Sequence, residues 1–190
     1  MKLLEEKILQ DGTVLPGNIL KVGSFLNHQI DTSLLVEMAK EVKELYKDEK
    51  ITKILTVEAS GIAIAAIFGA VMELPIVFAK KHATSNISGE VYSSLVHSYT
   101  HNKDYNMVVE KSYLNKSDRV LLVDDFLAVG GALTGLIDIV KQSGASLVGC
   151  AIAIEKGFQG GGDKLRNEGI RVESLAIIES MSDNSLVFRK

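Results

Sequence analysis

Apolar positions recur at helical spacing twice in the first fifty residues. Residues 2–10 predict a short amphipathic helix that Asp11-Gly12 ends. Residues 13–30 lack such a period and contain Pro16-Gly17 and the polar cluster Asn27-His28-Gln29, so an irregular segment is expected. Asp31-Thr32-Ser33 then offers N-cap chemistry to a helix with Leu34, Leu35, Met38, Val42, Leu45 and Tyr46 on one face.

Beyond Lys50 the texture changes to short apolar runs. Lys53–Val57 predicts a strand, followed by Glu58, Ala59, Ser60 and Gly61 and an alanine-rich helix to about Val71. Ile76–Ala79 predicts the next strand, closing on Lys80-Lys81. Residues 82–105 are polar, with little apolar period except around 91–96, and read as a long mobile loop or hairpin. Strand character resumes at 107–109. The run 119–123, RVLLV, is the cleanest buried strand and is expected to end on Asp124-Asp125. The chain then passes through Phe126, Leu127, Ala128, Val129, Gly130 and Gly131 into a helix carrying Leu133, Leu136, Ile137 and Val140. Gly144 stops that helix, and 146–154 is another apolar strand.

Strands that are apolar on both faces need cover on both faces. Strand, loop, helix and strand in repetition therefore predict an α/β fold with a doubly wound, mostly parallel sheet. Ligands of such sheets bind beyond the carboxyl ends of the strands. Residues 58–61, Lys80-Lys81, residues 124–132 and Glu155-Lys156 are accordingly expected on one rim.

At 190 residues the chain is one domain with room for a real core, burying a little over ~70% of its unfolded surface. Hydrophobic residues at 46% and charged residues at 24% exclude long disorder. The net charge of −3, without a strongly basic stretch, disfavours a nucleic-acid face. The single cysteine, Cys150, cannot form an internal disulfide. Lys2, Glu5, Glu6 and Lys7 leave no signal-peptide core. The longest uncharged stretch, 59–72, has 14 residues, short of the ~18 a membrane span needs. A cytoplasmic protein without membrane or nucleic-acid partners is expected.

The strongest chemistry lies in 120–135, VLLVDDFLAVGGALTG: two adjacent carboxylates and then a small-residue turn opening a helix. Bare N–H groups and the helix macrodipole favour a phosphate at such a turn. Carboxylates beside it suit sugar hydroxyls or a divalent cation, which together describes a sugar-phosphate site. The plainer alternative is a capping Asp and a tight turn. Gly130-Gly131-Ala132-Leu133-Thr134-Gly135 lacks the glycine at the third position of a dinucleotide fingerprint, and 157–162 is followed by Asp163 where a P-loop needs lysine. His97 and His101 are four apart but lack the intervening glutamate and a third ligand of a zinc site. Cys150 reads as a buried small hydrophobe. Lys80-Lys81 reads as a solvated pair or as a pyrophosphate partner. Lys156 reads as a salt-bridge partner or as a donor to a ligand carbonyl, and Phe158 as core or as a stacking platform.

The 120–131 segment resembles the phosphoribosyl-pyrophosphate signature of type I phosphoribosyltransferases. LKVGSFLNHQID at 20–31, EASGI at 58–62, VFAKKH at 77–82, IVKQSGA at 139–145 and IEKGFQ at 154–159 are similar to the bacterial xanthine phosphoribosyltransferases, in order and over almost the whole chain. The resemblance implies transfer of a 5-phosphoribosyl group to N9 of xanthine, giving XMP and pyrophosphate, by a cytoplasmic homodimer of purine salvage. It implies a single 1–190 domain: an N-terminal hood over 1–50, a core over 51–157, and 158–190 completing hood and sheet. Ala128, Val129, Gly130, Gly131 and Ala132 would hold the 5′-phosphate. Asp124 and Asp125 would receive the ribose hydroxyls, directly or through the shell of a substrate-bound magnesium, with no firm protein ligand to the metal. Glu58, Ala59, Ser60, Gly61 and Lys81 would face the pyrophosphate, and Leu20, Asn27, Lys156 and Phe158 the base. Residues 82–105 would serve as a lid, 91–100 resembling the family's flexible loop.

The family usually has Asn or Thr at the position of Val129, and its xanthine group often has Gln at that of Gly131. Valine removes a donor worth about 1.5–3 kcal/mol where the bond is charge-assisted. Two alternatives stand beside this reading. One is the same reaction on hypoxanthine, guanine or adenine. The other is a non-catalytic regulator that binds the same donor.

Overall fold

The computed structural model describes residues 1–81, 89–98, 103–182 and 185–190. Its centre is a six-stranded sheet in the order β10-β9-β8-β7-β3-β4. The strands are β3 (Lys53–Val57), β4 (Ile76–Ala79), β7 (Arg119–Leu127), β8 (Ser146–Lys156), β9 (Val172–Ser182) and β10 (Ser185–Phe188). Only β10 runs antiparallel, against β9. The chain winds outward from β3 to β4 through α3 (Ser60–Met72). It winds the opposite way from β7 to β8 and β9 through α4 (Gly131–Ser143) and α5 (Gly161–Asn167). Winding therefore reverses between β3 and β7, which opens the crevice where ligands of such sheets bind.

Successive residues of each strand face opposite layers. Leu121 and Val123 of β7 join Ile54, Ala151 and Ala153 in a core with α1 (Lys2–Asp11), α2 (Thr32–Leu45) and α3. Val120 and Leu122 join Leu55, Cys150 and Ile152 in a second core with α4. Asp31 caps α2 as expected, its Oδ1 accepting from Leu34 N at 3.1 Å.

The irregular stretch 13–30 holds more order than its pattern suggests. Thr13–Leu15 (β1) and Ile19–Lys21 (β2) form an antiparallel hairpin, followed by one π-helical turn at Gly23–Asn27. Three-residue strands are too short for a period of two to register, and the tight connection rests on positive φ at Gly17 and Asn18. Of the polar stretch 82–105, residues 82–88 and 99–102, with His101, lie outside the described residues. The rest realises the hairpin alternative: Val91–Ser98 (β5) pairs Lys103–Glu110 (β6). Buried Val96, Met107 and Val109 seat it against α4.

A third difference matters for the site. Strand β7 does not stop at Asp124 but runs to Leu127, because β8 extends beside it and pairs Phe126 with Ile154 and Leu127 with Glu155. No helix among the described residues is long and apolar enough to cross a membrane.

Cys150 is fully buried in β8, and burial pushes its thiol up to about 12. Its alkylation by iodoacetamide at pH 8 should be undetectable in the native protein and appear in step with urea unfolding. Labelling below the unfolding transition would contradict the placement.

Candidate active site

Extension of β7 carries two carboxylates into the crevice on consecutive strand positions. Asp124 is only 6% exposed, while Asp125 is half-buried. Asp124 Oδ1 accepts from Asp125 N at 2.9 Å, and Asp125 Oδ1 accepts from Phe126 N at 3.0 Å. Burial, then the adjacent Asp125 charge, pushes the Asp124 carboxyl well above the usual carboxylate range. Lys81, with its ammonium over the Tyr105 ring, draws it back down.

Past the acids the chain turns through Ala128 and Val129 into Gly130, and α4 starts at Gly131 without a side-chain cap. The first N–H groups of α4 are thus left for a ligand. The loop is held from below by the 157–162 segment. Gly161 N donates to Ala128 O at 3.1 Å. A Cβ on Gly161 would lie 2.2 Å from that carbonyl, and one on Gly162 would lie 2.1 Å from Glu155 Oε1. The glycines that imitate a P-loop therefore serve as backing, by letting two main chains touch.

The neighbouring strand ends complete the rim. Glu58 accepts from Lys81 N at 2.6 Å, joining the ends of β3 and β4, and Ala59, Ser60 and Gly61 lead into α3. From the N-terminal segment, Asn27 donates to Asp125 Oδ2 at 3.4 Å. Lys156 donates to Asn18 O at 3.0 Å, and its ammonium stands over the Phe126 ring. Burial lowers the Lys156 ammonium from its ordinary value. A cleft of about 510 Å³ runs between Lys156, Phe126, the 128–132 loop and the hairpin.

One expectation changes at this point. Glu155 is not on the rim: it is wholly buried, with Arg166 donating to both carboxylate oxygens at 3.0 and 2.7 Å and Ser174 donating a further bond. Leu20 is buried in the hairpin and borders, with Asn27, a shallower cleft beside α1. Phe158 is 37% exposed on the turn after β8, whereas its neighbour Gln159 lines the main cleft. The cleft also takes Asn18, Ile19, His97 and Tyr105. Of these the sequence offered a signal only for His97, which had been weighed as a zinc ligand. Asn18 and Ile19 belong to one local hairpin and Tyr105 to another, and their meeting in one cleft is a relation that no local pattern carries.

The family model described as phosphoribosyl transferase domain matches residues 22–173. The chain belongs to the phosphoribosyltransferase family. Among curated relatives, a xanthine phosphoribosyltransferase of Lachnoclostridium phytofermentans is 56% identical over all of this chain and 98% of its own. Xanthine phosphoribosyltransferase 2 of Clostridium botulinum is 54% identical over the whole of both chains. The crystal structure of Giardia lamblia APRTase complexed with 9-deazaadenine superposes with a TM-score of 0.78 at 23% identity, covering 94% of this chain and 98% of its own. That likeness establishes the type I phosphoribosyltransferase fold, with its mostly parallel sheet between helical layers.

The family's donor travels with a divalent metal, and the carboxylates present suit that role in one form. Among the described residues no group of three or more His, Cys, Asp or Glu side chains could cage an ion. Two adjacent carboxylates, one half-exposed, match a magnesium that keeps its waters and takes most ligands from substrate oxygens.

The raised Asp124 carboxyl fixes a pH dependence. Between the ordinary carboxylate value and the raised folded one, the folded protein holds a proton that the unfolded chain has lost. Stability therefore falls as pH rises through that window. Without ligand, Asp124→Asn should raise the thermal midpoint at pH 8 by roughly 2–4 °C per kcal/mol relieved, and the gain should vanish near pH 3.5. Circular-dichroism melts at both pH values check this, and an equal or lower midpoint at pH 8 would contradict it.

Proposed function

We propose that this phosphoribosyltransferase transfers the 5-phosphoribosyl group of phosphoribosyl pyrophosphate to N9 of xanthine, releasing XMP and pyrophosphate. What carries the reading is likeness to relatives of that name through the hood segment as well as the sheet. In that segment Asn27 donates to Asp125 and borders, with Leu20, the cleft beside α1.

In this reading Asp124 and Asp125 accept hydrogen bonds from the ribose hydroxyls. The main chain of Ala128, Val129, Gly130, Gly131 and Ala132 donates to the 5′-phosphate. Glu58, Ala59, Ser60 and Gly61 shape the pyrophosphate end, where Lys81 opposes its charge. The bond from the anomeric carbon to the pyrophosphate oxygen breaks as the bond to N9 forms, with positive charge building on the ribose. Catalysis at such a centre is positioning plus charge stabilisation. Asp124 and Asp125 would hold a substrate-borne magnesium, which would supply neutralisation of the departing pyrophosphate. Lys156 has donors only, so it prefers the oxo groups of xanthine to the amino group of adenine. A buried donor left unpaired by the wrong base is the stronger source of discrimination. Leu20 and Phe158 supply apolar contact and Asn27 a polar edge. The protein works as a cytoplasmic homodimer in purine salvage.

The test is direct. Purified protein with magnesium and phosphoribosyl pyrophosphate should convert xanthine to XMP, detected by mass, in preference to hypoxanthine, guanine and adenine. Preference for another purine, or no nucleotide at all, would refute the assignment. Val129 is 43% exposed on the phosphate loop and offers no donor. Val129→Asn should lower the KM for phosphoribosyl pyrophosphate by about tenfold, and an unchanged or raised constant would count against the loop's role.

A further inference from the structure

Among the described residues, a single buried side-chain oxygen or nitrogen has no hydrogen-bond partner: Thr56 Oγ1. Thr56 is fully buried, one residue before the end of β3. It pairs with Phe78 of β4 on one side, whereas on the other side the β3–β7 ladder stops at Leu55 and Leu122. Thr56 therefore stands where β3 and β7 cease to pair, at the foot of the crevice. A buried hydroxyl without a partner is a net loss to the fold. Valine has the same shape, suits a buried strand at least as well and would avoid that loss.

The surroundings of the hydroxyl point to what completes it. Gly61 is buried in the first turn of α3. A Cβ on it would lie 2.2 Å from Thr56 Oγ1 and 3.1 Å from Asp124 Oδ1. One small gap is thus flanked by a hydroxyl with nothing to donate to and by an oxygen of the acid pair. Asp124 Oδ1 accepts from Asp125 N, and a carboxylate oxygen has a lone pair for a second donor. Burial, then the Asp125 charge, disfavours an ionised Asp124 in the empty site. A ligand that brings hydroxyl donors favours the ionised form, which is the stronger acceptor. Hydrogen bonds of this kind are often unmade in an empty site and tighten only around substrate.

We propose that Thr56 is a positioning residue for Asp124: when the phosphoribosyl donor binds, the Thr56 hydroxyl donates to Asp124 Oδ1, fixing the carboxylate and leaving Oδ2 for the ribose. This rests on the reading of Asp124 as an acceptor of the ribose hydroxyls. Thr56 itself touches no substrate.

Titration calorimetry with ribose 5-phosphate as the probe, beside steady-state kinetics, tests it. Thr56→Val should melt no lower than the parent without ligand, since it loses only an unpaired hydroxyl. It should nevertheless bind ribose 5-phosphate about tenfold more weakly and raise the KM for phosphoribosyl pyrophosphate alike, with the KM for xanthine unchanged. Thr56→Ser, which keeps the hydroxyl, should bind like the parent. In an Asp124→Ala background, Thr56→Val should cost nothing further, because the group it acts through is gone. If Asp124→Ala weakens binding while Thr56→Val binds like the parent, the proposal falls and the reading of Asp124 stands. If Asp124→Ala binds like the parent, that reading falls, and the proposal with it. An equal loss from Thr56→Val in both backgrounds, or from Thr56→Ser as from Thr56→Val, would overturn the proposal. A lowered melting midpoint with xanthine and ribose 5-phosphate affinity lost together would make Thr56 a packing residue and overturn it too.

Discussion

A carboxylate with no access to water must be paired, and the Glu155 carboxylate is paired by Arg166 on both oxygens. Removing one partner of such a pair leaves an uncompensated buried charge, at a cost of about 3–5 kcal/mol. The position of this pair matters more than its net contribution. It ties the short helix α5 to the sheet one residue before Lys156, and the first residue of α5, Gly161, backs the phosphate loop. From the chain's end, Arg189 donates to both oxygens of Asp163 at 2.8 and 3.1 Å and to Glu179 at 2.6 Å. The loop is thus backed by a segment that paired charges hold in place.

The acid pair works against this economy of paired charge. Asp124 is nearly as buried as Glu155, but its neighbour is another carboxylate, and Lys81, whose charge opposes it, leans on Tyr105. A folded protein keeps such a group when ligand hydroxyls or a substrate-borne cation complete it, accepting lower stability in the empty state. A well-satisfied carboxylate behind the rim and a poorly satisfied one on it divide the labour. The first holds the geometry, and in the proposed reading the second meets the ligand.

Much of this was legible from local pattern. RVLLV and KILTV read as buried strands because both their faces are covered, and Asp31 reads as a cap because its carboxylate reaches the N–H three residues on. The acids followed by a small-residue turn read as a sugar-phosphate site because hydroxyl acceptors and bare amides are separate chemical needs, and that reading enters the proposed function. Less legible was the length of β7. Two acids interrupt its apolar run before Phe126 and Leu127, and the strand continues through them because β8 runs alongside. The β1–β2 hairpin escaped for want of length. Glu155 was misread as a rim group because an acid beside a lysine at a strand end looks the same whether it faces solvent or an arginine eleven residues on.

The sequence by itself determined the apolar strands, the cap of α2 and the residue types at the turn into α4, since each depends on neighbours within a few positions. Only the tertiary structure decided which polar groups converge. Asn18, His97, Tyr105 and Lys156 come to one cleft from four separate stretches. The glycines after β8 became a support because the chain folded back beneath the loop. Contacts between distant segments depend on how whole layers stack, and that sum over the entire chain is written in no single stretch of it.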